Sequence, residues 1–182
     1  MNSLPLFCHE WPTPLAFPTA DPLFVLIHIS HTPRSAKGRL KVREVLREVL
    51  RSWASGPVLV HETATGPQIA EPIRGEAVFV SISYANDSAW LGISLKRPLG
   101  IDAVRIESFP EMEDLARLYL GEEVWQAIVG SQKPTLTFAR HWAALEARCK
   151  RADIPLSETA KPPTTPLFER VCQDTAVVVA WG

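Results

Sequence analysis

Between Pro134 and Asp153 the chain carries no glycine and no second proline, although the whole sequence has 16 prolines and 9 glycines. Alanine, leucine, arginine and glutamate dominate this stretch, and a proline in a first turn removes only an N–H that has no intrahelical acceptor. The segment therefore predicts one long helix. At about 100° per residue, Phe138, Trp142, Leu145 and Cys149 form a bulky stripe, the predicted core face, and Arg140, His141, Arg148 and Arg151 fall opposite as a solvated face. Glu146 and Lys150 belong to neither group. They stand one turn apart beside Ala139, Ala143 and Ala147, a stripe of small residues where another element or a ligand can approach closely. On a surface such an i,i+4 pair is worth only about 0.2–0.5 kcal/mol, so the helix by itself assigns it no chemistry.

The 182 residues are 46% hydrophobic and 21% charged, enough for a real core in one domain or in two small, closely packed lobes. A net charge of -1 gives no global reason to expect a nucleic-acid or membrane partner. Basic residues nevertheless cluster early, from Arg34 to Arg51, so a local anion site is open. The three cysteines are far apart and make no C-x-x-C pair, which argues against a disulfide framework or a zinc site and fits a reducing, cytoplasmic setting. No apolar run approaches the ~20 residues of a membrane helix, the N-terminus lacks the pattern of a signal peptide, and the five histidines show no metal-ligand spacing.

In chain order, Met1 to Asp21 holds Pro5, Pro12, Pro14 and Pro18 with Trp11 and Phe17, and reads as an extended arm pinned by aromatics. Leu23 to Ser30 reads as a buried strand, and Pro33 opens a helix to about Trp53 with an apolar face and otherwise basic flanks. A short strand follows at Val58 to Glu62, then a turn at Thr65-Gly66-Pro67. Ala77 to Ser83 and Ala89 to Leu95 read as a hairpin around Tyr84 to Ser88. Leu99 to Ile106 is a further strand. Met112 to Tyr119 and Glu122 to Val129 read as short helices broken at Gly121, and Pro166 to Cys172 with Thr175 to Trp181 as a closing antiparallel pair. This order predicts an α+β fold of two lobes joined near Arg97 to Gly100, residues 1–98 and 99–182, each a long helix packed on an antiparallel sheet.

Strand alternation puts Asp102 on one face with Val104 and Ile106. A carboxylate among large apolar neighbours is costly unless it is hydrogen-bonded, paired or bound to a metal. Asp102 on a strand with Glu146 and Lys150 on a helix is a plausible site for a hard cation and a phosphate: two carboxylates for Mg2+ and one ammonium for a phosphate oxygen. The same aspartate could equally cap a turn after Gly100.

Gly100-Ile101-Asp102, followed by Phe138-x-x-x-Trp142-x-x-x-Glu146-Ala147-x-x-Lys150, resembles the paired signature of the 4′-phosphopantetheinyl transferase superfamily. Val80-Ser81-Ile82-Ser83-Tyr84 stands where that family has a strand ending in Ser-His, and Gly66-Pro67 resembles its Gly-Lys-Pro turn without the lysine. The resemblance implies two pseudo-symmetric lobes in a monomer and Mg2+-dependent transfer of the phosphopantetheine arm of coenzyme A to a serine of an acyl, polyketide or peptidyl carrier protein. It implies Asp102 and Glu146 as metal ligands, Glu146 and Lys150 as catalytic residues, and Arg34, Arg39, Arg43, Gly66, Pro67, Ser83, Tyr84 and Lys150 as contacts of coenzyme A. The chain departs from the pattern at Val104, where longer members have a second carboxylate, at Leu145, where a lysine is usual, and at Tyr84 in place of histidine. The implied metal shell is then one Asp and one Glu completed by water.

Overall fold

Two stacked sheets with a long helix on each outer side account for most of the core. The computed structural model describes residues 8–19, 23–63, 66–172 and 174–181. Along the chain these form β1 (Cys8–Glu10), β2 (Phe24–Ile29), α1 (Ala36–Trp53), β3 (Val60–Thr63), β4 (Gly66–Ile69), β5 (Val78–Ala85), β6 (Ser88–Leu95) and β7 (Leu99–Arg105). There follow α2 (Met112–Leu115), a π-helical turn (Ala116–Leu120), α3 (Glu122–Val129), α4 (Pro134–Ala152), β8 (Leu167–Cys172) and β9 (Thr175–Trp181). The fold is α+β, with four α-helices and three sheets among the described residues. The first sheet has the order β1-β2-β6-β5, the second β7-β9-β8, and β3-β4 is a separate hairpin. All pairings are antiparallel except β1 with β2, so the first sheet departs from the purely antiparallel one expected.

Alternation along the strands decides what each face meets. On the outer face of the first sheet, Val25, Ile27 and Ile29 of β2 and Leu91 and Ile93 of β6 pack on Val42, Leu46, Val49, Leu50 and Trp53 of α1. The inner face offers Leu26, Ala85 and Trp90, which pack on Leu99, Ile101 and Ala103 of β7 and on Phe168, Val177 and Val179 of β8 and β9. The far face of the second sheet, Val178 and Ala180, receives Ala143 and Ala147 of α4. The layers run helix, sheet, sheet, helix. Trp11, Leu15 and Phe17 pack on the α1 core, as expected for a pinned arm. Residues 1–7, 20 and 21 of that arm lie outside the described residues, and β1 is a strand that its three-residue length hides from pattern reading.

Several expectations need correction. Helix α1 begins at Ala36 and not at Pro33, because Ser35 caps it by accepting from the Gly38 N–H at 3.0 Å. Gly66 and Pro67 open β4 and do not form the turn, whose Thr65 lies outside the described residues. The turn between β5 and β6 tightens to Asn86-Asp87, with Asn86 at φ 53°, a left-handed conformation asparagine tolerates well.

The largest correction concerns α4. Its buried residues are Phe138, Ala139, Ala143, Ala147 and Cys149, while Trp142 and Leu145 are half-buried. The small stripe is the face that lies on the second sheet. Close approach explains this: a Cβ placed on Gly100 of β7 would lie 1.9 Å from the Ala147 carbonyl oxygen. The aromatic stripe instead meets the α2–α3 region, where Phe138 and Trp142 pack with Trp125, Ile128 and Ala116. Covered on two sides, α4 leaves Arg148 and Arg151 half-buried and not on a solvated face. Glu146 and Lys150 fall between the two covered faces.

Candidate active site

Strand β7 is an edge of the second sheet, so N–H groups on its outer side have no strand partner. Two buried serines of β5 supply acceptors: Ser81 Oγ accepts from the Ile101 N–H at 2.9 Å and Ser83 Oγ from the Ala103 N–H at 3.1 Å. The Ser-x-Ser spacing matches the two-residue period of both strands. Gly92, beside Ser81 on β6, adds the room that the Ile101 side chain fills. This seam delivers Asp102 to the end of α4.

Asp102 is 4% exposed. Its Oδ1 accepts from Ser83 Oγ at 2.9 Å and from Lys150 Nζ at 2.6 Å. Lys150 Nζ also donates to the Ile101 carbonyl at 3.1 Å and stands 3.9 Å from Glu146 Oε2. The other Glu146 oxygen, Oε1, accepts from the indole Nε1 of Trp142 at 2.8 Å. Burial pushes the Asp102 carboxyl up to about 6, with Glu146 adding to the rise while Lys150 and Ser83 oppose it. Lysine and serine together therefore only partly offset removal from water.

Removing the Ser83 hydroxyl would strip Asp102 of one donor and leave the buried Ala103 N–H without an acceptor. Ser83→Ala is expected to lower stability by about 1–3 kcal/mol, read as a lower urea midpoint at unchanged slope. A midpoint equal to wild type would mean the seam does not depend on this hydroxyl.

These groups line one cleft of about 1420 Å³, which runs over the free edge of β5 and also takes in Arg34, Arg39, Arg43, Gly66, Pro67 and Tyr84. Every site residue singled out in the sequence thus lies on a shared cleft, but their environments differ. Ser83 turns inward to Asp102, whereas Tyr84, its neighbour, turns to the α1 side of the sheet. The Tyr84 hydroxyl is buried and has no hydrogen-bond partner among the described residues. Burial raises its proton affinity, and the charges of Arg43, Arg39 and Arg34 lower it. Arg43 is engaged by Glu62 in a two-point contact at 2.6 and 2.9 Å, which holds that carboxylate below its usual range. Arg34 and Arg39 make no ion pair among the described residues, which leaves their charge to the cleft.

The donors suit a hard divalent cation such as Mg2+. They are all oxygens, and both carboxylates already converge on one cationic centre, at 2.6 and 3.9 Å. Among the described residues no group of three or more His, Cys, Asp or Glu could hold a metal without help. A site of two carboxylates completed by water and a phosphate ligand is the ordinary way Mg2+ is bound.

Two partners of the site were not assigned a role from the sequence. Trp142 is placed in the core stripe by periodicity, yet its i,i+4 relation to Glu146 is legible in the chain and allows the observed hydrogen bond. Ser81 has a weaker signal, a hydroxyl inside an apolar strand that must find a partner when buried. No family model and no curated relative matches the chain.

Proposed function

We propose that the protein is a 4′-phosphopantetheinyl transferase, which moves the phosphopantetheine arm of coenzyme A to a serine of a carrier protein and releases adenosine 3′,5′-bisphosphate. The observation that supports this reading best is the meeting of Asp102, Glu146 and Lys150 in a cleft that also holds Arg34 and Arg39, which have no acidic partner among the described residues. Within this reading the two helix-and-sheet layers are pseudo-symmetric lobes, residues 1–98 and 99–182, of a cytoplasmic monomer. Among the described residues no helix is long and apolar enough to cross a membrane.

Asp102 and Glu146 would hold Mg2+, whose contribution is to neutralise charge on the pyrophosphate. Arg34 and Arg39 bind the 3′-phosphate of coenzyme A, with Arg43 shared with Glu62. Lys150 exchanges part of its contact with Asp102 for a phosphate oxygen. Glu146, or a water it orders, accepts the proton of the carrier serine as that oxygen attacks phosphorus in line, and the bond from phosphorus to the bisphosphate leaving group breaks. An acidic carrier surface would complement the basic flank of α1.

Incubation with coenzyme A, Mg2+ and several apo carrier proteins tests the reading. The expected result is a carrier heavier by one phosphopantetheine arm. A second reading, a catalytically impaired relative acting as a binding or scaffold protein, draws on Lys150 already bridging the two carboxylates, and no mass gain on any carrier would favour it.

The Asp102 carboxyl also sets a pH dependence. Its folded-state value, about 6, lies above the ordinary 3.8, so the native state holds this proton more tightly than the unfolded chain does. The associated stability is complete below about pH 4 and is lost as pH rises through about 6. Asp102→Asn has no such proton, so its stability relative to wild type should rise between those values, as read by urea unfolding. The same proton competes with a cation, and Mg2+ affinity should fall as pH drops below about 6. Parallel stability curves for the two proteins would show that Asp102 is not held in this environment.

A further inference from the structure

We propose that Trp142 is a positioning residue whose indole N–H holds Oε1 of Glu146 and so turns Oε2 toward the cation position. This rests on the reading of Glu146 as a divalent-cation ligand. Glu146 is half-buried, with its side chain 29% exposed, and without a tether its rotamers would include ones that carry the carboxylate out to solvent. The tether is the 2.8 Å bond from Trp142 Nε1 to Oε1, and the oxygen left free, Oε2, is the one facing Lys150. An indole has a single donor and no charge, so it fixes the carboxylate without neutralising it.

The ring itself is held. It stacks on Phe138 with centroids 5.6 Å apart and an interplanar angle of 22°, and meets Tyr119 edge-on at 5.4 Å. Phe138 belongs to the cluster that α3 and the π-helical turn build around Trp125 and Ile128. The short helices α2 and α3 and the π-helical turn between them thereby bear on the site through the Trp142 ring, with Phe138 and Tyr119 as its aromatic neighbours. Groups that orient a metal ligand in this way commonly contribute 10–100-fold in affinity.

Trp142→Phe keeps the stacked ring and removes only the donor. Calorimetric titration of the intact protein with Mg2+, in the absence of coenzyme A, should show about tenfold weaker binding in this variant at an unchanged unfolding midpoint. Wild-type affinity in a folded Trp142→Phe protein overturns the proposal. If the variant does not fold, the wild-type indole decides: its N–H should exchange slowly with solvent and its resonance should move in Glu146→Ala, and free exchange with no movement overturns the proposal. Absence of Mg2+ uptake by the wild type removes both the tether's purpose and the metal reading. Mg2+ uptake that depends on Trp142, without any carrier modification, sinks the transferase reading and leaves the tether standing.

Discussion

Gly100→Ala is expected to lower stability by about 3 kcal/mol or more, a fall in Tm of roughly 6–12 °C for a chain of this size. The added Cβ would lie 1.9 Å from the Ala147 carbonyl oxygen, 2.5 Å from the Arg151 nitrogen and 2.9 Å from the Ala147 carbonyl carbon. These are backbone atoms of α4, so no change of rotamer relieves the overlap and the helix must withdraw from β7. Withdrawal also lengthens the contacts of Lys150 with Ile101 and Asp102, so the site should degrade along with the fold. Gly92→Ala offers a control. Its Cβ would meet the side-chain ends of Ile101 at 2.1 Å and Leu99 at 2.8 Å, and those can move, so a smaller loss is expected. Thermal and urea unfolding followed by circular dichroism measure both, and a Gly100→Ala protein as stable as wild type would contradict the close packing of α4 on β7.

The second large effect separates activity from stability. On the proposed transferase reading, Asp102→Ala and Glu146→Ala are each expected to reduce phosphopantetheine transfer on the order of a thousandfold, since either removes one of the two carboxylates proposed to hold the cation. Neither should unfold the protein. Asp102 is a carboxylate whose burial is only partly offset by its neighbours, and Lys150, with 35% of its side chain exposed, can turn to water when its partner is lost. Glu146 is itself partly exposed. The measurement is kcat/KM with coenzyme A and a carrier that the wild type modifies, alongside urea unfolding. Retained transfer in both variants would sink the site.

Much of the architecture is legible along the chain because burial on one face of an element imposes a period. The apolar run of β2, the hairpin of β5 and β6, the break at Gly121 and the bounds of α3, α4 and β9 all follow from local patterns. The face of α4 did not. Size suggested that Phe138, Trp142, Leu145 and Cys149 should face the core; Phe138 and Cys149 are buried, but a helix lying on a sheet at the distance allowed by Gly100 presents alanines to it, and the aromatics pack on α2 and α3. Periodicity identifies stripes and leaves open which stripe meets which partner.

The sequence by itself determined most of the longer elements, though not β1 or β4, together with the chemical character of the candidate groups and the i,i+4 spacing that allows Trp142, Glu146 and Lys150 to line up on one helix. Only the tertiary structure decided that Asp102 reaches Lys150 and Ser83, that Tyr84 faces away from them, and that Trp142, while packed on the α2–α3 cluster, also grips Glu146. The physical reason is that side-chain direction within an element follows from local backbone geometry, whereas distance between elements is set by packing. Here that packing depends on one absent Cβ at Gly100 and on two serine hydroxyls that stand in for the strand β7 lacks on its outer edge.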